Sequence, residues 1–151
     1  MSGYLDVMVY RLAYRMALAD GEMSANEATV LDVLAKSFGF DEATREQLAE
    51  EAERIDYDNL RRVFPEREQQ LTLFETACLL AMADGRSDMD EWQLANRLTA
   101  ALKVDRNEAA ECLQRARSRL KEMAGQHDLS AEIQENLKKQ GAFVPGVKPG
   151  A

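Results

Sequence analysis

Two acidic turns carry the residue types and the spacing that are typical of a cation site. Asp20-Gly21 is followed by Glu27, and 64 residues later Asp84-Gly85 is followed by Glu91 at the same distance. An Asp-Gly pair, five further residues and then Glu is the spacing of the second half of an EF-hand calcium loop, where carboxylate oxygens bind the ion. The sequence therefore predicts that these four carboxylates bind a hard divalent cation such as Ca²⁺ or Mg²⁺.

Neither turn is a complete EF-hand, because the ligand positions upstream of each Asp are apolar. Leu18 and Met16 stand there in the first copy, and Met82 and Leu80 in the second. One half-loop supplies about two carboxylates, whereas Ca²⁺ takes six to eight oxygen ligands. We therefore expect a shared site in which the two turns lie close together and backbone carbonyls and water complete the shell. Oxygen ligands favour such a cation over zinc or copper.

Further acidic residues flank the two turns and extend the candidate set. They are Glu22 in the first turn and Asp88 and Asp90 in the second. Arg86 takes the place of Glu22 in the second copy and can pair with a neighbouring carboxylate. Because Asp88 and Asp90 add negative charge, we expect the second turn to bind the cation more strongly.

A purely structural role is the alternative interpretation of the same residues. Glu27 stands three residues after Ser24, and Glu91 three residues after Asp88, which is the spacing of a helix capping box. The glycine after Asp20 and the one after Asp84 can each end a helix. Capping does not require the two aspartates, and they are what favours a metal role. Both interpretations stay open on the sequence alone.

Each acidic turn is predicted to join two amphipathic helices. Apolar residues at three- and four-residue steps predict helices over 4–19 and from Ser24 to Gly39, with a third beginning at Asp41 and a short helical turn after Asp56. The same predicted order of helices begins again near Glu66. The predicted inward-facing residues of the second half are Leu71, Phe74, Ala77, Cys78, Ala81, Leu94, Ala95, Leu98, Leu102, Ala109, Cys112, Leu113, Ala116, Leu120 and Met123.

The repeat extends beyond the turns and predicts an all-α fold. At the same offset Leu98 falls on Leu34, and Asp105 falls on Asp41. We expect two duplicated three-helix units, about 4–63 and 66–125, packed into one helical bundle over 1–125. A unit this short has too little interior to be stable alone, so the units should share one core. Gly125 is predicted to end the last helix of the bundle, followed by a short extra helix in 126–140 and a flexible tail in 141–151.

Composition excludes several classes of function. The chain has 151 residues and a net charge of −8, which argues against nucleic-acid binding because phosphate contacts need a basic surface. The two cysteines are predicted to be buried free thiols, and no apolar run is long enough for a membrane span. The N-terminus does not have the layout of a signal peptide, so we expect a cytoplasmic protein. A single histidine, His127, and the lack of nucleophile or phosphate-loop motifs argue against an enzyme.

The two runs Met16-Ala17-Leu18-Ala19-Asp20-Gly21 and Leu80-Ala81-Met82-Ala83-Asp84-Gly85, each with its downstream Glu, resemble the TerB-like family. The family is named for tellurite-resistance proteins and also occurs beside J-domains in membrane co-chaperones. The resemblance covers roughly residues 4 to 123. It implies an all-helical domain that binds a divalent metal through the positions of Asp20, Glu27, Asp84 and Glu91.

The resemblance also implies a role in bacterial stress response that is exerted through protein partners. We expect a cation-binding module without a membrane span of its own, associated with a membrane only through a partner. The alternative is a metal-free interaction or scaffold domain in which the Asp-Gly turns are purely structural.

Overall fold

A computed structural model describes residues 3–18, 23–83 and 89–127, and for 89–92 and 124–127 it describes the backbone alone. Within these residues every regular element is helical, which confirms the predicted all-α fold. The helices are α1 (Tyr4–Ala17), α2 (Ala25–Phe38), α3 (Glu42–Glu51), α4 (Leu60–Val63), α5 (Arg67–Ala83), α6 (Met89–Leu102) and α7 (Arg106–His127). Two 3₁₀ turns, Ala52–Arg54 and Tyr57–Asn59, connect α3 to α4.

Side-chain caps begin the helices where the sequence predicts them. Ser24 Oγ accepts from the Glu27 amide at 3.1 Å, and the Ser24 amide donates to Glu27 Oε1 at 2.9 Å, so the capping box of α2 is complete. Asp41 caps α3 through the Thr44 amide at 2.8 Å. Each cap satisfies amide groups that have no partner inside the helix, which fixes where the helix begins.

The duplication is visible in the backbone at the ends of α2 and α6. Gly39 has φ +76°, and Lys103, 64 residues later, has φ +51°. In both places the amide of the next residue donates to the carbonyl five residues before it. Phe40 donates to Ala35 O at 2.9 Å, and Val104 donates to Thr99 O at 3.0 Å. These are the left-handed residue and the long-range bond of the same helix-terminating motif. The two halves therefore repeat local geometry as well as sequence.

The two three-helix units pack around α1 and α5 into one core. Within the halves, α1 contacts α2 and α3, and α5 contacts α6 and α7. Between the halves, α1 contacts α5 and α6, and α2 contacts α5. One continuous hydrophobic cluster includes side chains from both units. This arrangement confirms the predicted duplicated bundle.

Helix α5 buries more of its residues than the single apolar stripe predicted for it contains. Every residue from Leu73 to Ala83 is buried, and Leu79, Leu80 and Met82 lie outside the predicted stripe. The cause is its position, because α5 has α1, α2, α6 and α7 around it. A helix surrounded in this way buries residues on every side, and here they include Glu75 and Thr76.

The predicted helix ends differ from the structure at a few places. α1 ends at Ala17, and α3 ends at Glu51, where the chain tightens into the first 3₁₀ turn. The helical turn after Asp56 is present, although the Asp56 side chain makes no capping bond. α7 continues through Gly125 to His127, since one glycine costs about 1 kcal/mol in a helix and does not by itself end it.

Two predicted features of the C-terminal region lie outside the described residues. They are the part of the extra helix beyond residue 127 and the tail over 141–151. In the part of the chain that the structure describes, no helix is both long and apolar enough to cross a membrane.

Candidate functional site

The predicted cation ligands lie at the junctions between α1 and α2 and between α5 and α6. Asp20, Glu22, Asp84 and Asp88 fall outside the described residues. Asp90 and Glu91 belong to the first turn of α6, where the structure describes only the backbone. Glu27 is thus the one predicted ligand whose side chain the structure describes.

Glu27 holds its carboxylate inside the protein. The residue has 0% exposure and lies in the first turn of α2, where its Oε1 accepts the Ser24 amide. Burying an ionised carboxylate is costly unless hydrogen bonds or positive charge compensate it, and the positive end of the helix supplies part of that compensation. A carboxylate oxygen is also the donor that Ca²⁺ and Mg²⁺ prefer, so Glu27 fits the predicted cation.

The helices that bear the two acidic turns are neighbours. α1 contacts α5, and the cross-contacts of α1 with α6 and of α2 with α5 are reciprocal between the halves. This neighbourhood is compatible with the predicted shared site, while the positions of Asp20 and Asp84 are outside the described residues. Among the side chains that are described, no group of three His, Cys, Asp or Glu residues is arranged to hold a metal ion.

A family model described as "Tellurite resistance protein TerB" matches residues 6–118. The chain belongs to the TerB family. The match runs from α1 into α7 and includes both acidic turns, so it confirms the resemblance found in the sequence. No curated protein and no solved structure gives a significant match to the chain.

A second cluster of charged residues, which the sequence analysis did not single out, joins α5 and α7 of the TerB bundle. Arg115 Nε donates to Glu75 Oε1 at 2.6 Å, and Arg119 Nη1 donates to Glu75 Oε2 at 3.0 Å. The Glu75 side chain is 12% exposed, whereas those of the arginines are 50% and 36% exposed. One nearly buried carboxylate is therefore shared by two guanidinium groups at the surface.

A cavity of about 500 Å³ opens beside this cluster. We call it the α5–α7 groove; it is lined by Glu68, Leu71, Thr72, Glu75 and Arg115. The four α5 residues recur at three- and four-residue steps and so form one face of that helix. The lining of the groove thus combines one apolar residue, Leu71, with charged residues of both signs.

The first half has an ion pair at the same place with its charges reversed. Arg11 Nη2 donates to the Glu51 carbonyl at 2.9 Å, and its Nε lies 4.0 Å from Glu51 Oε2. Arg11 and Glu51 stand 64 residues before Glu75 and Arg115. In the first half the basic residue is on α1 and the acidic residue on α3. In the second half the acidic residue is on α5 and the basic residue on α7. This exchange of charge at the repeat offset is the sequence signal that would have revealed the second cluster.

Arg67, at the start of α5, forms hydrogen bonds with the end of α6 and the start of α7. Its guanidinium pairs with both carboxylate oxygens of Glu108 and donates to the carbonyls of Leu102 at 2.6 Å and Lys103 at 2.8 Å. Glu108 also completes the capping box of α7 with Asp105, as the sequence predicts. The hydrogen bonds from Arg67, followed by that from the Asp105 amide, lower the pKa of Glu108 to about 2.

The two cysteines are free and buried, as predicted. Burial raises the pKa of Cys112 to about 11, although the Arg115 guanidinium beside its sulfur acts in the opposite direction. Burial likewise raises the pKa of Cys78. Metal-binding and nucleophilic cysteines react as thiolates, so neither thiol is suited to such a role at neutral pH.

Proposed function

We propose that this TerB-family chain is a cytoplasmic helical module that binds a divalent cation and acts in bacterial stress response through a protein partner, without catalytic activity of its own. The cation is of the Ca²⁺ or Mg²⁺ type. Asp20, Glu27, Asp84 and Glu91 would hold it, with Glu22, Asp88 and Asp90 as further acidic groups around it.

The fully buried carboxylate of Glu27 is the observation that supports this proposal. It lies in the turn of α2 that directly follows the acidic stretch 19–22, and a nearby cation would offset the cost of keeping its charge away from water. A bound cation supplies positive charge that draws several carboxylates together. This would stiffen the helix pairs that flank the two turns and so alter the surface that a partner contacts.

Thermal unfolding of the full chain with Ca²⁺, Mg²⁺ or a chelator tests the proposal. At a cation concentration about 100-fold above Kd, a site present only in the folded state adds about 2.7 kcal/mol. In a chain of this length that corresponds to a rise in Tm of about 5–10 °C. The fluorescence of Trp92, which follows Glu91 in the sequence, provides a second readout of binding.

The chain offers a matched control for the loss of a capping glutamate. Glu27 and Glu108 both stand at the third position of a complete capping box. Replacing either by Gln lowers stability, but only Glu27→Gln and Asp84→Asn should remove the rise in Tm caused by the cation. Glu108→Gln should keep that rise. A native chain whose Tm does not respond to millimolar Ca²⁺ or Mg²⁺ would exclude the cation-binding role.

A metal-free interaction domain is the second candidate, and the complete capping box of Glu27 favours it. Both hydrogen bonds of that box are present, so helix capping already gives Glu27 a structural role. If this role is the whole of its function, Glu27→Gln and Glu108→Gln will lower Tm without any change in the response to cations. Binding of a partner would then be unaffected by a chelator.

A further inference from the structure

We propose that the C-terminal segment 136–145 of this chain docks into the α5–α7 groove. The groove would then be a self-occupied surface, covered by the chain that follows α7. The proposal concerns a different part of the molecule from the acidic turns and does not depend on cation binding.

The α5–α7 groove has a counterpart in the first half, and there the first 3₁₀ turn and Phe64 contact α1. The residues 64 positions before the groove residues are Tyr4, Val7, Met8, Arg11 and Glu51. Met8 is only 6% exposed, whereas its equivalent, Thr72, lies on the open groove. In the first half the chain that follows α3 contacts this face, and in the second half the chain that follows α7 lies outside the described residues.

The covering chain of the first half is the segment that follows α3. It starts beside Arg11, which bonds the Glu51 carbonyl, and reaches Tyr4, whose ring stacks on Phe64 with centroids 5.5 Å apart. Between these points the first 3₁₀ turn contacts α1, and Leu60 and Phe64 are 1% and 2% exposed. Residues 52–64 thus return from the level of Arg11 to that of Tyr4, contacting α1 through the first 3₁₀ turn and α6 through the second 3₁₀ turn and α4, and they contribute apolar side chains to the core.

The segment after α7 resembles part of that covering sequence, with a longer spacing to its aromatic residue and proline. The first half reads Asn59-Leu60-Arg61-Arg62-Val63-Phe64-Pro65, and the C-terminal segment reads Asn136-Leu137-Lys138-Lys139-Gln140-Gly141-Ala142-Phe143-Val144-Pro145. Both have Asn-Leu, two basic residues, then an aromatic residue and proline. In the second half this pattern comes later than the 64-residue offset, because α7 continues to His127 where α3 has already ended.

The length of the connecting chain allows the return. Residues 115 to 127 of α7 rise about 18 Å beyond the level of the groove, at about 1.5 Å per helical residue. Residues 128–136 can span up to about 30 Å when extended, so they can bring Leu137 back to this level; the docked segment therefore has an extended connection in place of the short helix predicted for this stretch. α5 and α7 run parallel, since Arg67 meets Glu108 and Glu75 meets Arg115. A returning segment would therefore pass Arg115 first and reach Glu68 afterwards.

Charge and hydrophobicity match along this path. Leu71 offers a partly buried apolar surface, to which Leu137 is suited, and Phe143 can cover the end of the groove as Phe64 covers Tyr4. Glu68 is exposed at the far end of the groove and attracts Lys138 and Lys139. In the first half the equivalent basic residues, Arg61 and Arg62, remain exposed beside the buried Leu60.

Paramagnetic relaxation in the full-length chain tests the docking. A nitroxide is attached at Gln140→Cys, and the amide signals of the groove residues are compared with the label oxidised and reduced. We expect loss of signal intensity at residues 68–75 and at Arg115. The native Cys78 and Cys112 are each 0% exposed, so the label should react only at the introduced thiol.

Two controls make the outcome decisive. Adding Leu137→Asp and Phe143→Asp to the labelled chain should restore the groove signals, because these residues would provide the apolar contact. An equal mixture of labelled chain and isotope-enriched unlabelled chain should show no signal loss. Unperturbed groove signals in the singly labelled chain, or broadening that survives the two Asp substitutions, would overturn the proposal. Broadening in the mixture would instead assign the groove to a second copy and would also overturn it.

Discussion

Replacing Arg67 by Ala tests how one guanidinium stabilises the second half of the bundle. The substitution removes the bidentate pair with Glu108 and the bonds to the carbonyls of Leu102 and Lys103. It leaves the C-terminal carbonyls of α6 without their side-chain donor and separates three helix ends that Arg67 connects. We therefore expect a loss of stability well above that of an ordinary surface substitution.

The size of the stability loss in Arg67→Ala follows from the contacts of Arg67 and their exposure to solvent. Charge-assisted hydrogen bonds contribute about 1.5–3 kcal/mol each when buried, but exposed ion pairs contribute about 0–1 kcal/mol. The Arg67 side chain is 38% exposed and that of Glu108 is 23% exposed, so the network lies between these limits. We expect Arg67→Ala to lower the free energy of unfolding by about 2–3 kcal/mol and Tm by about 5–10 °C.

The pH dependence supplies a second, independent signature. Because the pKa of Glu108 is about 2 in the folded protein and 4.5 for a free glutamate, the ionised form stabilises the fold above pH 4.5. That contribution is lost as pH falls from about 4.5 to 2. Allowing for solvent screening, it amounts to about 1–2 kcal/mol. In Arg67→Ala the pKa of Glu108 rises towards its ordinary value, so stability should fall less steeply over this range.

Urea unfolding at pH 7, 4 and 3 measures both effects. Arg106→Ala is the matched control, since Arg106 begins α7 next to the same helix ends and is exposed. We expect the control to change stability by no more than about 0.5 kcal/mol. If Arg67→Ala behaves like Arg106→Ala at pH 7 and keeps the parental pH profile, the network has no measurable role and the reasoning is refuted.

Three further predictions follow from single residues. Lys103→Gly should raise stability by about 0.5–1 kcal/mol in urea unfolding, because it relieves the left-handed conformation, whereas Gly39→Ala at the equivalent position should lower it. Glu75→Gln should cost about 1–2 kcal/mol in the same assay, since it removes the charge that two arginines share; an unchanged midpoint would contradict this. Ellman's reagent at pH 8 should leave Cys78 and Cys112 unmodified until guanidinium unfolds the chain, because burial keeps both thiols protonated.

Much of the fold could be predicted because local chemistry determined it. Ser24 with Glu27 and Asp105 with Glu108 are short-range hydrogen-bonding pairs, and Gly39 is suited to a left-handed helix end. Such features depend on a few neighbouring residues, so their spacing alone identifies them. The 64-residue repeat then predicted the duplicated bundle without any knowledge of its packing.

The remaining features depend on contacts between distant parts of the chain. The stripe on α5 gave no indication that the helix is surrounded, because that depends on which helices pack around it. Arg67 and Glu75 each look like an ordinary surface charge in the sequence, and their partners come from the position of α7 and, for Arg67, of the end of α6. For the candidate site, the pattern identified Glu27 as a candidate ligand but could not show that its carboxylate is fully buried.

The reversed polarity of the two ion pairs bears on how a duplicated chain finds the correct partners during folding. If α1 packed on α7, Arg11 would face Arg115; if α5 packed on α3, Glu75 would face Glu51. Like charges therefore penalise the exchanged arrangement. Combining Arg11→Glu with Glu51→Arg gives an opposite-charge pair within the first half, at the loss of the bond from Arg11 to the Glu51 carbonyl, and removes this discrimination. We expect refolding of that variant to yield more helix-exchanged dimer on size-exclusion chromatography, and a monomer yield equal to the parent's would argue against it. The ion pairs thus favour the packing of α1 on α3 and of α5 on α7 over the exchanged pairs of helices.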